Sequence, residues 1–267
     1  MPSPDPTRID RSRYVLELDE RFAGPALDLV RWLPAYLPQW SSRAKAAARY
    51  DLGPDGLTLR VDPDQPPWTP EWDGELRVSS LQTGVRSGPV GSADGQHRFR
   101  PDLVVREAQA TWWGYAPLHG LVELTCAVPD DPDAMAALWM IGLEDEPERS
   151  AELCVMELFG RNVGASEAHV GMGLHPFGNP RIRDDFATVR VSIDARELHT
   201  YSAEWLPDRV RWFVDGVLVR EVDQAPDHPM QLMLSLYRFP PAPGVAHANR
   251  TSTPRFQVRS VRGWRSA

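Results

Sequence analysis

Cysteine is scarce: the 267 residues hold two, Cys126 and Cys154. That is too few for a disulfide framework, and neither stands at the Cys/His spacing of a structural zinc site, so both read as reduced thiols. No stretch approaches 18 consecutive apolar residues, which leaves no candidate for a membrane-spanning helix. Basic clusters are missing as well. The 29 Lys and Arg are outnumbered by 37 Asp and Glu, and no run of five or more basic residues occurs. A net charge of −8 without such a run gives no footprint for nucleic acid. The first fourteen residues, MPSPDPTRIDRSRY, have no apolar h-region. This sets the expectation of a cytoplasmic protein, although a chain whose leader had been removed would read the same way and be secreted.

What is present is enough apolar material, 42% of residues, for a sizeable core. Proline, at 26 residues, clusters at 62–70 and 239–243 and punctuates loops. Between the clusters lie short alternating or β-branched runs at 14–18, 57–61, 121–128, 137–143, 189–193, 201–205, 210–214 and 230–236. The best helix candidate, residues 42–50, is short enough to be only a turn. In RVRWFVDGVLVREV, Asp215-Gly216 supplies the two positive φ angles of a type I′ hairpin. No repeat or linker divides the chain, so a tail at 1–13 and one domain at 14–267 are expected. The fold class is all-β: two large antiparallel sheets packed face to face.

The most informative segment is ALWMIGLEDEPERSAELCVMELFG, residues 137–160. Glu152 and Cys154 share one face of a strand, with Leu153 and Val155 on the other. Strict alternation sends Glu157 to the apolar side, yet the next core-type residue is Leu158, so the apolar phase slips by one. A single-residue β-bulge near Met156 accounts for the slip and turns Glu157 onto the face of Glu152. Two carboxyls on one open face are what retaining glycoside hydrolysis needs.

These residues resemble glycoside hydrolase family 16, the concanavalin A-like β-glucanases, whose motif is E-x-D-x-x-E in its bulged form. The likeness extends to ELDERFAGPALDLVRW, HTYSAEWLPDRVRWFVDGVLV and PMQLMLSL, and so to most of the chain from about Tyr14 to Trp264. It implies a jelly-roll sandwich with Glu152 as nucleophile and Glu157 as acid, then base. Such a pair stands about 5 to 5.5 Å apart. At an effective dielectric of about 20 two charges there repel by about 3 kcal/mol, so the pair keeps one proton near neutrality.

Where the motif has aspartate, this chain has Cys154. A thiol between carboxylates stays neutral and cannot supply the charge that helps hold a proton on the acid, so reduced hydrolysis is expected. His175 has two readings, a group that orients the nucleophile, as the resemblance implies, or an ordinary loop histidine. His169 and His199 read as structural. Trp113, Trp139 and Tyr237 are candidates for stacking on sugar rings, with core packing as the other reading, and Trp205 and Trp212 read as core. Arg86 reads either as a donor to sugar hydroxyls or as an exposed strand residue. Unbulged relatives carry tryptophan where this chain has Ser150, so a stacking platform has to come from elsewhere. The acidic run at 143–150 lacks calcium-loop spacing and reads as a solvated turn. Arg259 stands where the family's calcium pattern has aspartate. No metal and no cofactor is therefore expected.

The expected function is retaining, endo-acting cleavage of a β-linked polysaccharide or oligosaccharide, with laminarin-type β-1,3-glucan foremost. The rival is a lectin-like sugar binder that lost catalysis through Cys154, and a third reading is a scaffold with neither property. Subsite preference is assigned to loops 63–73, 88–98 and 177–185, and the oligomeric state is left open.

Overall fold

The structure, a computed structural model, describes residue 5 and residues 7–240 and 251–267; the proline cluster at 239–243 lies partly outside this range. The chain folds into two large antiparallel sheets. In the outer sheet the strands run Val217–Val222, Val210–Val214, His199–Trp205, Gly120–Ala127, Arg255–Ser266, Gly56–Arg60 and Arg49–Gly53, with Tyr14–Glu20 also paired to Arg255–Ser266. The second sheet carries Asp185–Val191, Ala168–His175, Glu152–Phe159, Ala134–Gly142, Met230–Arg238 and Arg77–Gln82 in that order. All eight expected runs overlap strands, and those at 57–61, 121–128, 137–143 and 189–193 reach one or two residues past the strand end. At the expected hairpin Asp215 and Gly216 have φ of 49° and 74°, and Val214 pairs with Val217, as a two-residue type I′ turn requires. The helix candidate shrinks to Arg43–Ala46, capped by the Ser42 hydroxyl accepting from the Lys45 amide, before the chain turns into Arg49–Gly53.

Period-two alternation divides each central strand between two clusters. Ala136, Leu138 and Met140 join Leu232, Leu234, Trp205, Trp212 and Phe256 between the sheets. Ala137, Trp139 and Ile141 project from the opposite face, where Tyr36, Trp40 and Trp68 from the loops cover part of it. That second face carries the site. Trp205 and Trp212 are fully buried, and their indole N–H groups donate to the carbonyls of Pro226 and Cys154, so both satisfy the packing role read from sequence.

The stretch read as a tail has contacts of its own. Arg8 bridges to Val217, the Leu218 amide donates to the Thr7 carbonyl, and Arg11 forms an ion pair with the buried Glu123. Both cysteines are buried and unpaired. Among the described residues no helix is long and apolar enough to cross a membrane.

Candidate active site

The site is set by a register shift in the strand Glu152–Phe159. Leu138 pairs with Met156 and Trp139 with Cys154, so two residues advance on this strand for one on its neighbour. On the other side Gly171 pairs with Glu157 and Gly173 with Cys154. The extra residue is Val155, and both Val155 and Met156 drop into the inter-sheet core beside Leu153 and Leu158. Cys154 joins Trp139 and Tyr237 on the opposite face, and Glu152 and Glu157 line one cavity there. The bulge inferred from the slipped apolar phase therefore exists and has the consequence expected of it. From the outer sheet, the Trp212 indole donates to the Cys154 carbonyl at 2.8 Å and anchors the bulged backbone. Gly173, with φ of 153°, lies where a Cβ would meet the Asp185 carbonyl at 2.2 Å, so this close approach admits no side chain.

The Cys154 thiol donates to Glu152 Oε1 at 2.9 Å and lies 3.7 Å from Glu157 Oε1. Burial pushes the thiol well above its ordinary range, and Glu152 and Glu157 push it further, so it stays protonated. Burial also raises both carboxyls. Glu152 rises to about 8, from burial first and the Glu157 charge second, against a downward pull from the thiol hydrogen bond. Glu157 rises mainly by burial, offset by Cys154 and His175. Near neutrality the buried pair holds a proton, which belongs to the pair rather than to either carboxyl.

Two loops complete the arrangement. His97 Nε2 lies 3.8 Å from Glu152 Oε2, and burial lowers this imidazole to about 3, so the contact is between a neutral ring and the carboxyl rather than an ion pair. The His97 amide donates to Glu144 Oε2 at 3.0 Å, and the Ser150 hydroxyl donates to Glu144 Oε1 at 2.7 Å. Ser150 also accepts from the Gly178 amide, tying loop 177–185 to the same network. Glu144, expected in a solvated turn, is instead a half-buried anchor of the site loops because two donors converge on it. Glu144, His97 and Phe177 have φ of 51°, 53° and 44°, three of the seven described non-glycine residues with positive φ. The rings of His97 and Phe177 meet at 4.5 Å. Strained backbone gathered in one place marks a functional region.

The cavity holding both glutamates has a volume of about 220 Å³, and its walls include Tyr36, Trp68, Trp139 and Tyr237. Glu152 also lines a second cavity of about 440 Å³ with His175, Pro176, Phe177 and Asp184. His175 sits opposite Glu152 in the register, stacks on Phe186 at 5.0 Å, and has Nδ1 2.6 Å from Asp184 Oδ1. It is thus fixed beside the proposed nucleophile.

Of the proposed sugar-contacting residues, Trp139 and Tyr237 reach the glutamate cavity and Arg86 and Trp113 do not. Arg86 is held by Asp94 at 2.8 Å, and Trp113 lies on a two-residue strand pair against Gly84, where its ring fills the space a Cβ would need. His169 and His199 stay away from it, beside Glu167 and at the Asp215 turn. Sequence reasoning missed Tyr36, Trp68, His97 and Asp184. Trp68, His97 and Asp184 do lie in the three loops assigned to substrate preference, but loops have no periodicity to reveal which side chain points inward.

The model of the family described as "Glycosyl hydrolases family 16" matches residues 115–252, just over half of the chain and including both glutamates. The chain belongs to glycosyl hydrolase family 16. A beta-glucanase of Rhodothermus marinus is 28% identical over 133 residues, which are 47% of this chain and 43% of that protein. Among solved structures of similar fold, a GlcNAcα1-4Gal releasing endo-β-galactosidase from Clostridium perfringens gives a TM-score of 0.80 at 22% identity, over 99% of this chain and 64% of the other. The catalytic domain of an endo-1,3-β-glucanase (laminarinase) from Thermotoga petrophila RKU-1 gives 0.65 at 16% identity, over 95% and 98%. The chain thus spans less than two thirds of the beta-glucanase and of the galactosidase. The sandwich is the jelly roll of family 16.

Proposed function

We propose that this family 16 chain is a retaining, endo-acting glycoside hydrolase that cleaves a β-linked polysaccharide or oligosaccharide, with laminarin-type β-1,3-glucan as its first substrate. The observation that carries the reading is the bulge at Val155, which puts Glu152 and Glu157 into one aromatic-walled cavity. In the reaction Glu152 attacks the anomeric carbon while Glu157 gives its proton to the departing oxygen, forming a glycosyl-enzyme. Glu157 then takes a proton from water, which displaces Glu152 from the same carbon. His175, fixed by Asp184, orients Glu152. Trp139 and Tyr237 present ring surface to the sugar. Endo action is supported by the second cavity that Glu152 also lines, which adds room for glycan beyond the cavity holding both glutamates. Glucan is favoured by the beta-glucanase and laminarinase likenesses, and galactan is the competing substrate because the endo-β-galactosidase shares the fold.

A second reading is supported by Cys154: a sugar-binding protein that keeps the cavities without the chemistry. Incubation with laminarin, mixed-linkage β-glucan and β-galactan, followed by reducing-end measurement and product sizing, separates the two. The hydrolase reading expects reducing ends from laminarin and a ladder of oligosaccharides. Oligosaccharide binding with no cleavage over a long incubation would establish the sugar binder.

A further inference from the structure

The replacement of aspartate by cysteine changes what the site can hold. The ligand atoms of Glu152, Cys154 and His175 lie within 4.8 Å of one another, and they offer a carboxylate oxygen, a sulfur and an imidazole nitrogen. We propose that Glu152, Cys154 and His175 form a three-ligand site for a borderline-soft divalent cation of the zinc type, and that its occupancy reversibly blocks Glu152.

The donor set selects the metal. Calcium and magnesium take oxygen ligands, whereas sulfur with imidazole and carboxylate suits zinc, which commonly leaves a fourth position open when three side chains bind it. An independent feature supports the assignment. His175 Nδ1 is engaged by Asp184 at 2.6 Å, leaving Nε2 as the ligating nitrogen, and a carboxylate on the far ring nitrogen is the usual support of a metal-binding histidine. Access is provided through the cavity lined by Glu152, His175 and Asp184, since Cys154 itself is fully buried. The thiol now donates to Glu152 Oε1 at 2.9 Å; a bound cation takes the place of that proton. On binding, a zinc–sulfur bond forms and the thiol proton passes to water, together with any proton on Glu152, and no electron is transferred. A Glu152 oxygen coordinated to the cation is no longer free to attack an anomeric carbon. No ligand spacing marks such a site along the chain, because Cys154 and His175 are twenty-one positions apart and meet only through strand pairing.

The block of hydrolysis rests on the function proposed above, but the site itself does not, so the test begins without substrate. The tagless full chain is titrated with Zn²⁺ against a chromophoric chelator and, separately, with Co²⁺ while the near-ultraviolet spectrum is recorded. The expected result is one cation per chain and a thiolate-to-cobalt charge-transfer band. Cys154→Ser abolishes the band, and Asp184→Asn, an exposed position outside the ligand set, weakens Zn²⁺ uptake about 10- to 100-fold. Failure of the wild-type chain to take up Zn²⁺, or uptake and a cobalt spectrum unchanged in Cys154→Ser, overturns the site. If the site holds and the chain cleaves glycans, Zn²⁺ stops reducing-end release and a chelator restores it. Full activity at saturating Zn²⁺ overturns the block.

Discussion

Glu152→Gln is expected to lower kcat/KM on a cleaved β-glucan by at least about 10³-fold, or roughly 4 kcal/mol of transition-state stabilisation. Glutamine keeps the shape and can still accept the Cys154 hydrogen bond, but it cannot form the glycosyl-enzyme. The fold should persist, because the substitution removes a buried group that is costly to ionise. Glu157→Gln is expected to behave differently. Its loss of about 10²- to 10⁴-fold on the natural glycan should shrink on an aryl β-glycoside, whose leaving group needs no proton. Glu152→Gln should be equally inactive on both. Reducing-end and chromogenic assays on the two variants, with circular dichroism to verify folding, check the assignment. A Glu152→Gln variant within tenfold of wild type would remove Glu152 from the chemistry.

Cys154→Asp is expected to raise turnover about tenfold and to move the alkaline limb of the pH profile upward by about one unit. The thiol stays neutral between the two carboxyls and supplies only a weak donor. An aspartate in its place adds a negative charge beside the pair. Like charge disfavours ionisation, so the shared proton is held to higher pH, and the alkaline limb reports its loss. One unit corresponds to about 1.4 kcal/mol, or tenfold. The same buried charge should destabilise the fold, with each kcal/mol lost lowering the melting temperature by about 2 to 4 °C for a domain near this size. Cys154→Ser, which restores no charge, should give no gain. Kinetics of the three forms against pH, in metal-free buffer, decide the matter: turnover unchanged or lowered in Cys154→Asp contradicts the role given to this position.

The strands and the bulge were legible because burial writes itself into alternation. The slip between Val155 and Leu158 told of an extra residue, and Val155 and Met156 do both enter the core. The cavity walls were less legible. Tyr36, Trp68 and His97 come from irregular segments, and their inward direction depends on contacts such as the Glu144 anchor that exist only once distant loops meet. Arg86 and Trp113 each had two readings that the sequence could not separate, since neither the Asp94 ion pair nor the packing on Gly84 has a periodic signature. His175 was named through the family resemblance and the strand it ends, and it stands opposite Glu152 in the register, while its partner Asp184 carried no signal.

In the proposed reaction a bulged strand sets two carboxyls for double displacement at one carbon. Proton NMR of the first products released from a β-glucan, recorded before mutarotation, tests this most directly. The new reducing end is expected to appear first as the β anomer; initial appearance of the α anomer would mean single displacement by water and would contradict the roles of both glutamates.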